Sequence, residues 1–249
     1  MLDEFARQKR REMTELWRKH LEEYSDGFEI FTSELYQDAP ALIIGFNPGG
    51  DLHKQEMTRY RMKQFTSGDF SHPEQIDEGK HYHPDYLPDY ASSSNLPSRI
   101  KTYLFDGKSD LLTRTVETNR YYMRTSGKSQ HGDLLQSLSS EAFAAYTRFC
   151  RETTHETISR TNPDVILDFA NRHSGRATEF CTDIGFDSKP INYHACKNNG
   201  SIEGSVSVAK IIEPPHSKVI SIKPHLSASI NQPVLDLFAE VAPTHLPEN

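Results

Sequence analysis

Three short apolar runs constrain this chain most: ALIIGF (41–46), DVILDFA (164–170) and KVISI (218–222). Each is too short for an independent helix. The first is stopped by Pro48-Gly49-Gly50 and the last by Lys223-Pro224-His225. Runs that are continuously apolar, rather than alternating, are strands buried on both faces. TRTVETNRYYM (113–123) offers one more strand, and PINYH (190–194) and SVSVAKII (205–212) are weaker candidates. Helical patterns lie between these runs. Met13, Leu16, Trp17, Leu21 and Tyr24 recur at spacings of three and four and predict an N-terminal helix over about 3–24. SSEAFAAYTRFCRETTHETISRT (139–161) predicts a second, stopped by Asn162-Pro163. A third is expected to end near Ile184 and a fourth over Asn231 to Val241. Strands alternating with helices predict an α/β fold: a three-layer α/β/α sandwich around a central, mostly parallel four-stranded sheet. In such sheets ligands bind beyond the carboxyl ends of the strands.

The 249 residues show no internal repeat and no composition break, so a single domain over 1–249 is expected. Residues 51–98 are polar and rich in His, Asp, Tyr and Pro, and form a long insertion of the kind that carries function or stays unfolded. No run approaches the roughly 20 apolar residues of a membrane span. MLDEFARQKRREM has no apolar signal core, so no export signal is expected. Three widely spaced cysteines, Cys150, Cys181 and Cys196, fit a reducing, cytoplasmic setting. The formal net charge of −7 argues mildly against nucleic acid, yet Arg99 to Lys128 holds seven basic and three acidic residues. Charge alone makes that window a solvated face.

Several motifs fail. Gly107-Lys108-Ser109 and Gly127-Lys128-Ser129 lack the upstream glycine of a P-loop, having Thr102 and Tyr122 there. The cysteines lack zinc-ribbon pairing. His72, His81, His83 and Asp85 are metal-ligand types, although such a loop is more often simply polar. Asp168 reads as a polar residue at a sheet edge.

What remains is a set of strand ends: IIGF leading to Asn47, TVET to Asn119, and KVISIKP to His225 and Ser227. Separately, each is a turn residue, a cap or a surface side chain. Together and in this order they resemble the uracil-DNA glycosylase superfamily. Gly45-Phe46-Asn47-Pro48-Gly49 is similar to its first motif in the Gly-x-Asn-Pro-Gly form of the mismatch-specific and single-strand-selective branches. Lys223-Pro224-His225-Leu226-Ser227 resembles the last motif, His-Pro-Ser, with Leu226 in place of proline. Thr118-Asn119, followed by Arg124, is similar to the middle motif, and Pro163 to Ala170 to the apolar strand between the two. The chain departs from the family in having no aromatic soon after the first motif, so Tyr60, Phe65 or Phe70 must stack on the base. Ser229 stands where a wedging leucine is usual, leaving Leu226 or Ile230 to wedge.

The resemblance implies a monofunctional DNA glycosylase, a monomer acting on a base flipped out of DNA, with no metal or organic cofactor. His225 would donate a hydrogen bond to the oxyanion developing on the departing base. Asn47 would position the attacking water, since an amide is a poor base. Phe46, Gly49 and Asn119 would form the base-binding set, Asn119 reading the base edge with both amide groups. Ser227, Lys223, Arg124 and Lys128 would contact DNA. Gly49 replaces a tyrosine that crowds the pyrimidine 5-position in classical uracil enzymes, so two substrate classes stay open. One is uracil or a related damaged pyrimidine. The other is a bulky 5-modified or hypermodified pyrimidine of phage DNA, which would make this a defence enzyme. The alternative from another class is a non-catalytic module on the same fold that binds DNA or a repair protein.

Overall fold

The structure, a computed structural model, describes residues 1–24, 28–31, 33–47, 111, 114–123, 128–170, 176–198, 201–223 and 232–245. In chain order these form α1 (Leu2–His20), β1 (Ala41–Gly45), β2 (Val116–Asn119), α2 (Lys128–Ser137), α3 (Ser140–Thr161) and β3 (Val165–Asp168). Then come α4 (Ala177–Ile184), β4 (Ser188–Asn198), β5 (Ser201–Ile211), β6 (Lys218–Lys223), α5 (Gln232–Val241) and a short 3-10 turn (Pro243–His245).

The fold is mixed α/β, with helices packed against one sheet. The sheet has six strands in the order β2-β1-β3-β6-β5-β4. β2, β1, β3 and β6 are mutually parallel, whereas β5 pairs antiparallel with both β6 and β4. The expected four-stranded sheet is thus corrected to a six-stranded mixed one. PINYH lies inside β4 and SVSVAKII covers the second half of β5, and the two longer strands zip together from Ser188↔Ile211 to Asn198↔Ser201. The register shifts between Pro190 and Asn192, where proline has no N–H for the ladder.

Successive residues of the inner strands enter opposite cores, which is why their sequences are apolar without alternation. Leu42, Ile44, Ile166 and Val219 join one cluster with Met13 and Trp17 of α1, Tyr146 and Ile158 of α3 and Phe180 of α4. Ala41, Ile43, Val165, Leu167, Ile220 and Ile222 join the other with Phe238 and Val241 of α5.

In α1 the apolar stripe is buried at Met13 and Trp17, and Leu21 just past the helix is buried too, while Tyr24 is exposed. α1 is tied to α3 by Lys9, whose ammonium donates to Glu156 at 2.7 Å and to Glu12 at 3.0 Å. Burial pushes that ammonium toward neutrality, but the two carboxylates outweigh it and hold its pKa above the ordinary value. α3 begins where Ser139 accepts a hydrogen bond from the Ala142 amide, and ends at Asn162 in the left-handed conformation. Its buried face carries Thr154, Thr157 and Thr161, whose hydroxyls each donate to the carbonyl four residues back.

Candidate functional site

Because β2, β1, β3 and β6 are parallel, their carboxyl ends lie at one end of the sheet. Gly45, Asn119, Asp168 and Lys223 close these strands. β2 lies on one side of β1 and β3 on the other, so the switch point, where open α/β sheets form their ligand crevice, falls between the ends of β1 and β3, with the end of β2 beside it.

Gly45 and Asn119 are register partners, and the ladder runs on past both strands. The Arg120 amide donates to the Gly45 carbonyl at 2.7 Å, and the Tyr121 amide to that of Phe46 at 2.9 Å. A Cβ on Gly45 would lie 2.6 Å from Oδ1 of Asn119. Glycine is needed here for room, so that the Asn119 amide can lie across the strand. Asn119 is 8% exposed, yet its side chain makes no hydrogen bond with any described residue. Neither amide atom is among the fully buried unpartnered ones, so the amide reaches solvent at the strand end, where a ligand could meet it. Asn47 is half-buried, two residues beyond Gly45.

Phe46 turns into the protein. Its ring meets Tyr121 at 5.2 Å and His131 of α2 at 5.3 Å, both edge-on, and these rings continue to Tyr146. The Tyr146 hydroxyl accepts from the Tyr122 and Met123 amides, each at 2.9 Å, and burial pushes its pKa well above the ordinary value. This aromatic cluster fixes the segments that leave β1 and β2, and with them Asn47 and Asn119.

Asp168 is not at a sheet edge. β3 lies between β1 and β6, and the carboxylate is wholly buried. It accepts from the Ser221 hydroxyl at 2.6 Å and from the Ala170 amide at 2.9 Å. The polar row continues across the sheet to Ser207, the register partner of Ser221, whose hydroxyl accepts from the first amide of α4 at 3.0 Å. Sequence reasoning passed over this row. Its signal was the pair of serines, Ser207 and Ser221, interrupting apolar strands on the same face as Asp168.

Lys223 is exposed where β6 ends, and Lys128 opens α2. Arg124, Gly49, His225 and Ser227 lie outside the described residues. So do the stacking candidates Tyr60, Phe65 and Phe70, the wedging candidates Leu226 and Ile230, and His72, His81, His83 and Asp85. Within the basic window, Arg120 is not on a solvated face. It is 8% exposed and ion-paired with Asp183 at 2.7 Å. Among the described residues no cluster of three His, Cys, Asp or Glu is placed to hold a metal, and no helix is long and apolar enough to cross a membrane.

Compared with known proteins, the chain matches no family model, no curated protein and no solved structure.

Proposed function

We propose that this protein is a monofunctional DNA glycosylase, working at the carboxyl ends of β1 and β2. The observation that carries the reading is the Asn119 amide: it belongs to a largely buried residue, lies across Gly45, reaches solvent, and has no hydrogen-bond partner among the described residues. An amide presents a donor and an acceptor side by side, the pairing a pyrimidine edge requires. Asn47 lies on the neighbouring strand end, and the chain reaches His225 two residues after Lys223 closes β6 at the same end of the sheet. β6 is two strands from β1, about 10 Å away. The parallel block β2-β1-β3-β6, with cores on both faces, suits the expected three-layer sandwich, to which the β4–β5 hairpin is an addition.

In the proposed reaction, the flipped base sits against Asn119. The bond between C1′ and the base nitrogen breaks with its electron pair going to the base, and His225 stabilises the resulting oxyanion. Asn47 holds a water that adds its hydroxyl to C1′, while the remaining proton goes to the base. The products are a free base and an abasic site. Lys223, Ser227, Arg124 and Lys128 are assigned to the DNA backbone, and the setting is a cytoplasmic monomer. The test is abasic-site formation on single- and double-stranded oligonucleotides bearing uracil, mismatched thymine, or cytosine with small and bulky 5-substituents. Cleavage of at least one substrate, lost in Asn119→Ala, is expected. DNA binding with no abasic site on any of them would favour the non-catalytic binder instead.

A further inference from the structure

A cavity opens beside the turn that follows β2. It is a groove of about 890 Å³ between α3, the Arg120–Tyr121 turn that follows β2, and the last turn of α4. That size holds a small organic ligand.

Two guanidinium groups converge on the end of α4. Arg120 donates from Nη2 to the Asp183 carbonyl at 3.3 Å and to its carboxylate at 2.7 Å. Arg151 lies over Gly185, where an added Cβ would come within 3.2 Å of its Nη2. Capping a helix carboxyl end explains the Nη2 of Arg120 but not its Nη1, which is buried with no hydrogen-bond partner among the described residues. Arg148 and Arg151 are exposed, and neither forms an ion pair with a described residue. Of the carboxylates in the lining, Asp183 is taken by Arg120 and Glu156 by Lys9, so Glu152 alone offsets these two arginines. The same groove is lined by Phe143, 43% exposed on α3, by the small Ala144 and Thr147 of that helix, and by Tyr121. An exposed phenyl ring among small residues is a platform for a flat ring.

We propose that this groove binds a nucleotide, with its phosphate at Arg148 and Arg151 above Arg120 and its base stacked on Phe143. Guanidinium groups recognise phosphate through paired charge-assisted hydrogen bonds, and aromatic side chains stack on bases regardless of sequence. The nucleotide is either free or one unit of a single strand. The assignment uses neither Asn47 nor Asn119 and stands apart from the glycosylase reading.

The test is calorimetric titration of the full chain with inorganic phosphate, thymidine, thymidine 5′-monophosphate, a five-nucleotide all-thymine strand and a glutamate-rich peptide. The monophosphate or the strand should bind more tightly than phosphate or thymidine. Tighter monophosphate identifies a free nucleotide, and a tighter strand with steep salt dependence identifies single-stranded DNA. The Arg148→Ala/Arg151→Ala variant should weaken that binding roughly tenfold or more. Phe143→Ala should weaken it roughly fivefold or more while leaving inorganic phosphate unchanged. All three residues are exposed, so the variants should fold. Asn119→Ala should leave monophosphate binding intact. The proposal is overturned if no nucleotide binds, if these variants bind like the parent, if binding follows Asn119 instead, or if the acidic peptide binds as tightly.

Discussion

Replacing Gly45 with alanine tests the geometry of the candidate site without assuming any activity. The new methyl would sit 2.6 Å from Oδ1 of Asn119, against roughly 3.5 Å for an ordinary contact. Its next neighbours, Cγ of Asn119 at 3.6 Å and the Thr118 carbonyl at 3.7 Å, are unstrained, so the conflict is with one atom. Oδ1 ends a side chain that can give way, so the cost sits at the low end of overpacking, about 1 kcal/mol. For a domain of this size that is a fall of roughly 2–4 °C in Tm. In an Asn119→Ala background the offending atom is gone. There the same substitution should be neutral, or stabilising by up to about 1 kcal/mol, because alanine loses less backbone freedom than glycine. A double-mutant cycle by thermal and urea unfolding should therefore give a coupling of at least about 1 kcal/mol. Equal effects of Gly45→Ala in both backgrounds would refute the account of how Asn119 is held.

His245 is buried, and burial, helped by Lys218 and His194, pulls its pKa below 6.5. The unfolded chain then binds more protons as pH falls, so stability should drop on acidification from about pH 6.5 toward the lowered pKa, and His245→Gln should flatten that part of a Tm–pH curve. Burial pushes the Cys150 thiol up to about 12 and the Cys181 thiol up to about 11, whereas Cys196 is only half-buried. Mass spectrometry after brief alkylation of the native protein at neutral pH should find Cys196 modified first. Asp168→Ala strands the Ser221 hydroxyl and the Ala170 amide, and should destabilise by about 2–5 kcal/mol in urea unfolding.

The strand ends were legible because burial on both faces writes itself as a continuous apolar run. Gly45 and Asp168 fall inside the stretches read as strands, and Lys223 follows the last residue of the third. The caps of α3 were legible because Ser139 and Asn162-Pro163 act locally. What was missed depends on contacts distant in sequence. β4 and β5, by contrast, pair locally and read as weaker strands; only their full length escaped, because the exposed outer strand bears Asn192 and His194 and dilutes the apolar signal. α2, in KSQHGDLLQS, has two adjacent leucines and an internal glycine, and it is anchored by His131 packing on Phe46 and Tyr121. Arg120 reads as one charge in a basic window, yet it is buried against Asp183, 63 positions away. The contact between Gly45 and Asn119 follows from parallel pairing of two strands that no local pattern joins.

The central claim is that the ends of β1 and β2 form the chemical half of a base pocket. It is tested most directly by single-turnover cleavage and equilibrium DNA binding measured side by side for the parent chain and Asn47→Ala, on the best oligonucleotide substrate. A misplaced water should lower the cleavage rate roughly a hundredfold, with DNA affinity changed little. Cleavage at the parent rate by Asn47→Ala, or a loss of affinity with turnover intact, would contradict it.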